Sequence, residues 1–262
     1  MMISDPPIHS RSFGQTETGQ VRANNQDAIL VDEAAGLWLV ADGMGGHAGG
    51  AEASHLARTT VRAALNQGSS LRSAILAAHA AIRAEQALRP ELTDMGTTIV
   101  AALEQDDHYE IGWVGDSRAY LFDLSTQQLC LLTRDHNLAG LMVEAGAISA
   151  SEAAHHPKRH VLTDCLGLHS DGEPRVDMVK ERWQANQILL LCSDGLSGEL
   201  SDQTMATMLA LDQSLAALGE RLMSAALEAG AKDNVSLILV RSPLDGKPAG
   251  SSGARRRWLG RA

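Results

Sequence analysis

Five aspartates stand at the ends of apolar runs in this chain. LWLVAD delivers Asp42, IGWVGD delivers Asp116 and ILLLCSD delivers Asp194, while NNQDAILV and KDNVSLILV set Asp27 and Asp233 just ahead of two more runs. Taken singly, the D-G pairs Asp42-Gly43 and Asp194-Gly195 read as turns. Taken together, five carboxylates at converging strand ends would repel one another strongly unless cations lay among them. Mg²⁺ and Mn²⁺ suit such a cluster, because both take oxygen ligands in octahedral geometry and keep several waters. A glycine after the aspartate, as at Gly43, lets a backbone carbonyl approach the ion. Two such ions a few ångströms apart would lower the pKa of a shared water and produce a nucleophile suited to attack on phosphorus.

A competing reading attaches to the same stretch. GMGGHA (43–48) satisfies G-x-G-x-x-A, follows an apolar run and precedes a helical pattern, which is the setting of a dinucleotide-binding turn. Against it, TTVRAALNQGSS (59–70) carries no acidic residue where a ribose partner belongs, and Asp42 would sit as an anion beside the phosphates. A Walker loop is excluded, since no G-K-[ST] follows.

The elements that would position these residues follow from periodicity. Strand-like runs occur at 28–31, 37–41, 97–103, 109–115, 119–122, 188–192 and 235–240. Tyr109, Ile111 and Trp113 alternate as in a half-buried strand, and ILLLC reads as buried on both faces. Helical spacing marks 69–89 and 203–229, and a third helix is expected from Gly50 to about Leu65. Residues 136–160 read as a looser insertion, and the chain changes composition from Ser242 onward. Strict βαβ alternation is absent, so layered sheets with helices outside are expected in place of a doubly wound parallel sheet.

Composition bounds the rest. The 262 residues are 44% hydrophobic but only 3% aromatic, so the core is expected to be built from Ala, Leu, Val, Ile and Met. A formal net charge of −10 argues against nucleic-acid binding. Cys130, Cys165 and Cys192 are odd in number and widely spaced, which fits a reducing compartment. The start, MMISDPPIHSRSFG, has no signal-peptide core, and no run approaches the roughly 20 apolar residues of a membrane span. A soluble, cytoplasmic protein is expected.

In order, RANNQD, DGMGGHAGG, GTT, VGDSR, LTRDH, LTDCLG, CSDGLS and KDNVS resemble the metal-dependent serine/threonine protein phosphatases, protein phosphatase 2C or PPM, in their compact bacterial form. The similarity runs from about Phe13 to Val240. The resemblance implies an α+β, four-layer αββα sandwich, with two central, mostly antiparallel sheets flanked by helix pairs. It implies an N-terminal extension at 1–12, a catalytic domain at 13–241 with a flap near 136–160, and a flexible basic tail at 242–262. By motif, Asp42 would bridge two Mg²⁺ or Mn²⁺ ions and Gly43 would ligate one through its carbonyl. Asp194 and Asp233 would hold the other, Asp27 would join through water, and Asp116 would bind a third ion with Asp194, as in bacterial relatives. Arg22 would grip the substrate phosphate with its planar fork. The implied partners are phosphorylated proteins and a cognate serine/threonine kinase, with the chain acting as a monomer. A non-catalytic, phosphoprotein-binding member of the same fold is the alternative, and loss of metal ligands would mark it.

Two positions depart from the family pattern. Gln26 stands where Glu is frequent, which would weaken metal binding without abolishing activity. Met44 follows the Asp-Gly pair where eukaryotic members place a catalytic histidine. His47 comes three residues later, and it either turns back into the site as general acid or faces solvent. Elsewhere the residues read blandly. His155 and His156 are expected to be exposed, Cys192 to fill core, and the Asp135-His136 pair to cap local backbone.

Overall fold

The computed structural model describes residues 11–45, 49–153, 155–167 and 172–244. The chain order is β1 (Ser12–Glu17), β2 (Asp27–Asp32), β3 (Leu37–Met44), α1 (Gly49–Asn66), α2 (Leu71–Leu88), β4 (Gly96–Thr97), β5 (Ile99–Gln105), β6 (His108–Val114), β7 (Arg118–Asp123), β8 (Gln128–Leu131), α3 (Leu138–Glu144), α4 (Ala150–Ala153), β9 (Asp177–Arg182), β10 (Gln187–Cys192), α5 (Asp194–Ser197), α6 (Asp202–Leu209), α7 (Leu215–Ala229) and β11 (Val235–Arg241).

The strands form two sheets, ordered β1-β11-β10-β7-β8 and β2-β3-β5-β6-β9, with β4 added to β3. Every strand pairing among the described residues is antiparallel. That removes the dinucleotide-binding reading, which needs a parallel βαβ unit.

Three apolar layers hold the sandwich. Ala53, Ala57 and Val61 of α1 and Ile75, Ala78 and Ile82 of α2 lie over Leu39, Ala101 and Val114 of the second sheet. Leu218, Leu222 and Ala226 of α7 and Met205 of α6 lie over Leu190, Leu237 and Tyr120 of the first. Between the sheets, Trp38, Tyr109, Trp113 and Trp183 pack with Val100, Leu191 and Ile238. The four layers are therefore the expected αββα stack. The expectation of an aliphatic core holds under α1 and α2, but Tyr120 and Phe122 lie in the layer under α6 and α7, and the largest rings gather between the sheets. There, few but large rings fill the gap between two surfaces about 10 Å apart.

Three further expectations are corrected. The 203–229 block is two helices, because Ser214 accepts a hydrogen bond from the Ala217 N–H and starts α7 afresh. The strand with Tyr109, Ile111 and Trp113 is not half-buried along its length, since α2 covers its other face and every residue from Ile111 to Val114 is buried. Strands β1, β8 and β9 had no counterpart in the apolar runs. All three lie at sheet edges, where polar residues are tolerated.

Candidate metal centre

The β-ladder between β2 and β3 sets Asp27 directly opposite Asp42. Like charges in that position destabilise a sheet, so the register itself points to a compensating cation. Asp116 occupies the turn between β6 and β7, Asp194 opens α5 after β10, and Asp233 precedes β11. The structure thus brings all five predicted aspartates to one end of the sandwich. The Asp42 carboxyl is held well above the usual carboxylate range, first by burial and then by the charges of Asp27, Asp194, Asp116 and Asp233. Asp116 is raised by burial, with Asp194 and Asp135 adding to the effect and Arg118 opposing it. Burial lifts Asp27 to about 7, against hydrogen bonds from the Ser236 and Ser193 hydroxyls.

The oxygens present fit a hard divalent ion. Asp27 Oδ1 and Asp194 Oδ1 are sealed from solvent and accept no hydrogen bond. Such orphaned acceptors are costly without a cationic or polar partner. Gly43 is a backbone cradle, since a Cβ there would collide with the carbonyl oxygens of Gly50 and Gln26. Among the described residues, no three His, Cys, Asp or Glu side chains already converge as a complete ligand set. An all-oxygen set of carboxylates and backbone carbonyls is the donor chemistry that Mg²⁺ and Mn²⁺ take.

Arg22 is exposed, and its guanidinium donates to Asp233 Oδ2 at 2.7 Å. It therefore stands at the rim of the same cluster. Gln26 does not simply face solvent, because its Oε1 lies 2.8 Å from where a Gly50 Cβ would stand, at the start of α1. His47 lies outside the described residues, as do 1–10 of the N-terminal extension and the tail from 245 onward. His155 is exposed and His156 half-buried. Burial pushes the Cys192 thiol up to about 12, as befits core filling. Asp135 pairs with Arg118 at 2.9 and 2.8 Å, and His136 bonds the Gly115 backbone, so neither is presented as a catalytic dyad.

Several supporting residues escaped the sequence reading. Ser236 donates to Asp27 Oδ2 at 2.6 Å. Asn234 ties the Arg22 loop down, accepting from the Gln26 N–H and donating to the Thr18 and Asn24 carbonyls. Thr97 Oγ1 donates to the Asp42 carbonyl at 2.9 Å. The available signal was a polar residue inside an apolar strand, as with Ser236 in VSLILV.

A cleft of about 620 Å³ opens beside the cluster, lined by Asp116, Asp194, Arg159, His160, Val143 and Asp202. Its walls are the 136–160 segment, which contains α3 and α4, and the α5–α6 corner. None of the helices among the described residues is long and apolar enough to cross a membrane.

Residues 15–239 match the family model described as protein phosphatase 2C. The serine/threonine protein phosphatase PstP of Mycobacterium tuberculosis is 36% identical over 87% of this chain, although the chain spans only 44% of that protein's length. The serine/threonine phosphatase stp of Listeria monocytogenes is 32% identical, with 89% of this chain and 96% of that protein covered. Among solved structures, the catalytic domain of PstP in complex with two manganese ions superposes with a TM-score of 0.75 at 34% identity, covering 88% of this chain and 97% of that one. With an αββα sandwich, a carboxylate-rich strand end and a family match over most of its length, this chain belongs to the protein phosphatase 2C family of serine/threonine phosphatases.

Proposed function

We propose that this protein hydrolyses phosphoserine and phosphothreonine in proteins, using Mg²⁺ or Mn²⁺ held at the carboxylate end of the sandwich. The observation that carries the reading is the five-aspartate cluster with two sealed, unpartnered oxygens at Asp27 and Asp194. Residues 13–241 form the proposed catalytic unit, and 136–160 its flap. Asp42 and the Gly43 carbonyl, with Asp194 and Asp233, would hold a core pair of ions, Asp27 would act through water, and Asp116 with Asp194 would hold a third. When bound, the ions supply Lewis acidity toward the phosphate and lower the pKa of water.

The chain's own residues do the remaining work. Arg22 stands at the rim in an exposed pair with Asp233, which binds weakly enough for the guanidinium to exchange onto a phosphate. Ser236 holds Asp27 in one orientation through its hydroxyl. The Thr97 hydroxyl and the Thr98 N–H fix the Asp42 carbonyl, and the Gln26 carbonyl takes the Gly43 N–H at 3.2 Å. His47 remains the proposed general acid if its loop turns inward. A serine/threonine kinase acting on the same substrates is the proposed functional counterpart.

The test is phosphate release from a phosphothreonine peptide by metal-stripped protein, with and without Mn²⁺. Metal-dependent release supports the reading. Tight binding of the phosphopeptide without turnover would instead support the non-catalytic alternative.

A further inference from the structure

Asp116 lies in a connection of three residues, Gly115 to Ser117, and that connection is fastened on both sides. On the first side, the Gly115 N–H donates to His136 Nδ1 at 3.2 Å, and the Gly115 carbonyl accepts the His136 N–H at 2.9 Å. Because Nδ1 accepts, the imidazole proton sits on Nε2, which faces Asp177 Oδ2 at 3.3 Å. Asp177 is held in turn by Arg175 Nε at 3.0 Å. His136 is only 3% exposed and stacks on Trp113. Gly115 adopts φ +106°, and a Cβ there would come within 2.6 Å of Thr98 Cβ.

On the second side, Ser117 Oγ meets Thr98 Oγ1 at 2.7 Å. The same Thr98 Oγ1 accepts the Asp42 N–H at 3.3 Å, and the Thr98 N–H donates to the Asp42 carbonyl at 2.9 Å. One buried hydroxyl is therefore shared between the backbone of Asp42 and the loop of Asp116.

We propose that Thr98 and His136 are positioning residues that clamp the Asp116 loop from its two sides and fix its separation from Asp42. The proposal rests on the reading of Asp42 and Asp116 as metal ligands. Metal ligation tolerates displacements of only about 0.2 Å, so a loose clamp weakens the site that Asp116 serves before it unfolds anything. Thr98 links the two subsites, because it bonds the Asp42 backbone and the Ser117 hydroxyl. His136 acts on the Asp116 side alone. Neither touches substrate.

Calorimetric Mn²⁺ titration of metal-stripped protein separates these effects, with circular dichroism to confirm folding. Asp116→Ala is the control and should lose the third, outer ion, which Asp116 would hold with Asp194 and fewer protein ligands, while keeping the core pair. Thr98→Val keeps the shape of threonine and removes the hydroxyl. It should weaken the outer ion about tenfold, the equivalent of roughly one hydrogen bond. Thr98→Ser restores the hydroxyl and should bind Mn²⁺ within about twofold of wild type, a rescue that a simple packing role would not give. His136→Asn keeps an acceptor where Nδ1 stands and should retain the outer ion, whereas His136→Leu should lose it and leave the core pair intact. In turnover of p-nitrophenyl phosphate, Thr98→Val and His136→Leu should lower kcat with little change in KM.

If Asp116→Ala loses the outer ion while Thr98→Val and His136→Leu bind it like wild type, the clamp is wrong and the metal reading stands. If Asp116→Ala itself keeps every ion, both fall. Should Thr98→Val fail to fold, the comparison of His136→Asn with His136→Leu decides in the same way.

Discussion

Asp27 offers a stability test that does not depend on catalysis. Its Oδ1 is sealed and unpartnered, and burial lifts its carboxyl from an ordinary 3.8 to about 7 in the metal-free protein. A folded-state pKa above the unfolded value means that stability is fully present below about pH 4 and is lost as pH rises through 7. At about 1.4 kcal/mol per pH unit, the ionised group costs about 4 kcal/mol above neutrality. In Asp27→Asn the amide oxygen still accepts from Ser236, but the amide nitrogen occupies the sealed position at about 1–3 kcal/mol. The net gain is about 1–3 kcal/mol, or roughly 3–8 °C in Tm for a domain of this size. The assay is differential scanning fluorimetry of metal-stripped wild type and Asp27→Asn at pH 5 and pH 7.5. The variant should be the more stable at pH 7.5, and the difference should shrink by more than half at pH 5. Saturating Mn²⁺ should stabilise wild type more than the variant. A wild type as stable as Asp27→Asn at pH 7.5 without metal would refute the claim that this carboxylate is buried at a cost which a cation offsets.

Other perturbations probe the same site. Gly43→Ala forces a methyl into the carbonyls of Gly50 and Gln26, so it should lower Tm by several degrees and abolish Mn²⁺-induced stabilisation, as read by fluorimetry with and without metal. Arg22→Ala removes an exposed ion pair worth under about 1 kcal/mol, so Tm should barely move. Its KM for a phosphopeptide should nevertheless rise severalfold in steady-state assays. Gln26→Glu places a charge beside Gly43 and Gly50, so the Mn²⁺ concentration for half-maximal activity should fall severalfold. An unmoved curve would remove Gln26 from the metal's surroundings.

The aspartates were legible because each terminates or precedes an apolar run, and a strand that ends in a carboxylate fixes where that carboxylate goes. Strands β3 and β10 were legible for the same reason, being apolar along nearly their whole length. Strands β8 and β9 were not, because exposed edge strands such as DMVKER carry no burial pattern. The break at Ser214 is made by a single cap, and the helical spacing on both sides of it runs on as if continuous. The roles of Thr98, Ser236 and His136 were not legible at all. Each bonds a partner that only sheet register and loop closure bring near, as with Ser236 and Asp27, separated by 209 residues in the chain. The aromatic residues between the sheets followed the same rule, since composition counts rings but does not say which layer gathers them.

The central claim is that the carboxylate end of the sandwich holds the divalent ions on which phosphate hydrolysis depends. Its most direct test is phosphate release from a phosphothreonine peptide by metal-stripped protein titrated with Mn²⁺, run beside Asp42→Ala. The account predicts no release without metal, saturable activation in wild type, and less than a few percent of that rate for a folded Asp42→Ala at millimolar Mn²⁺. Release that persists in excess chelator, or an Asp42→Ala protein that turns over like wild type, would contradict it.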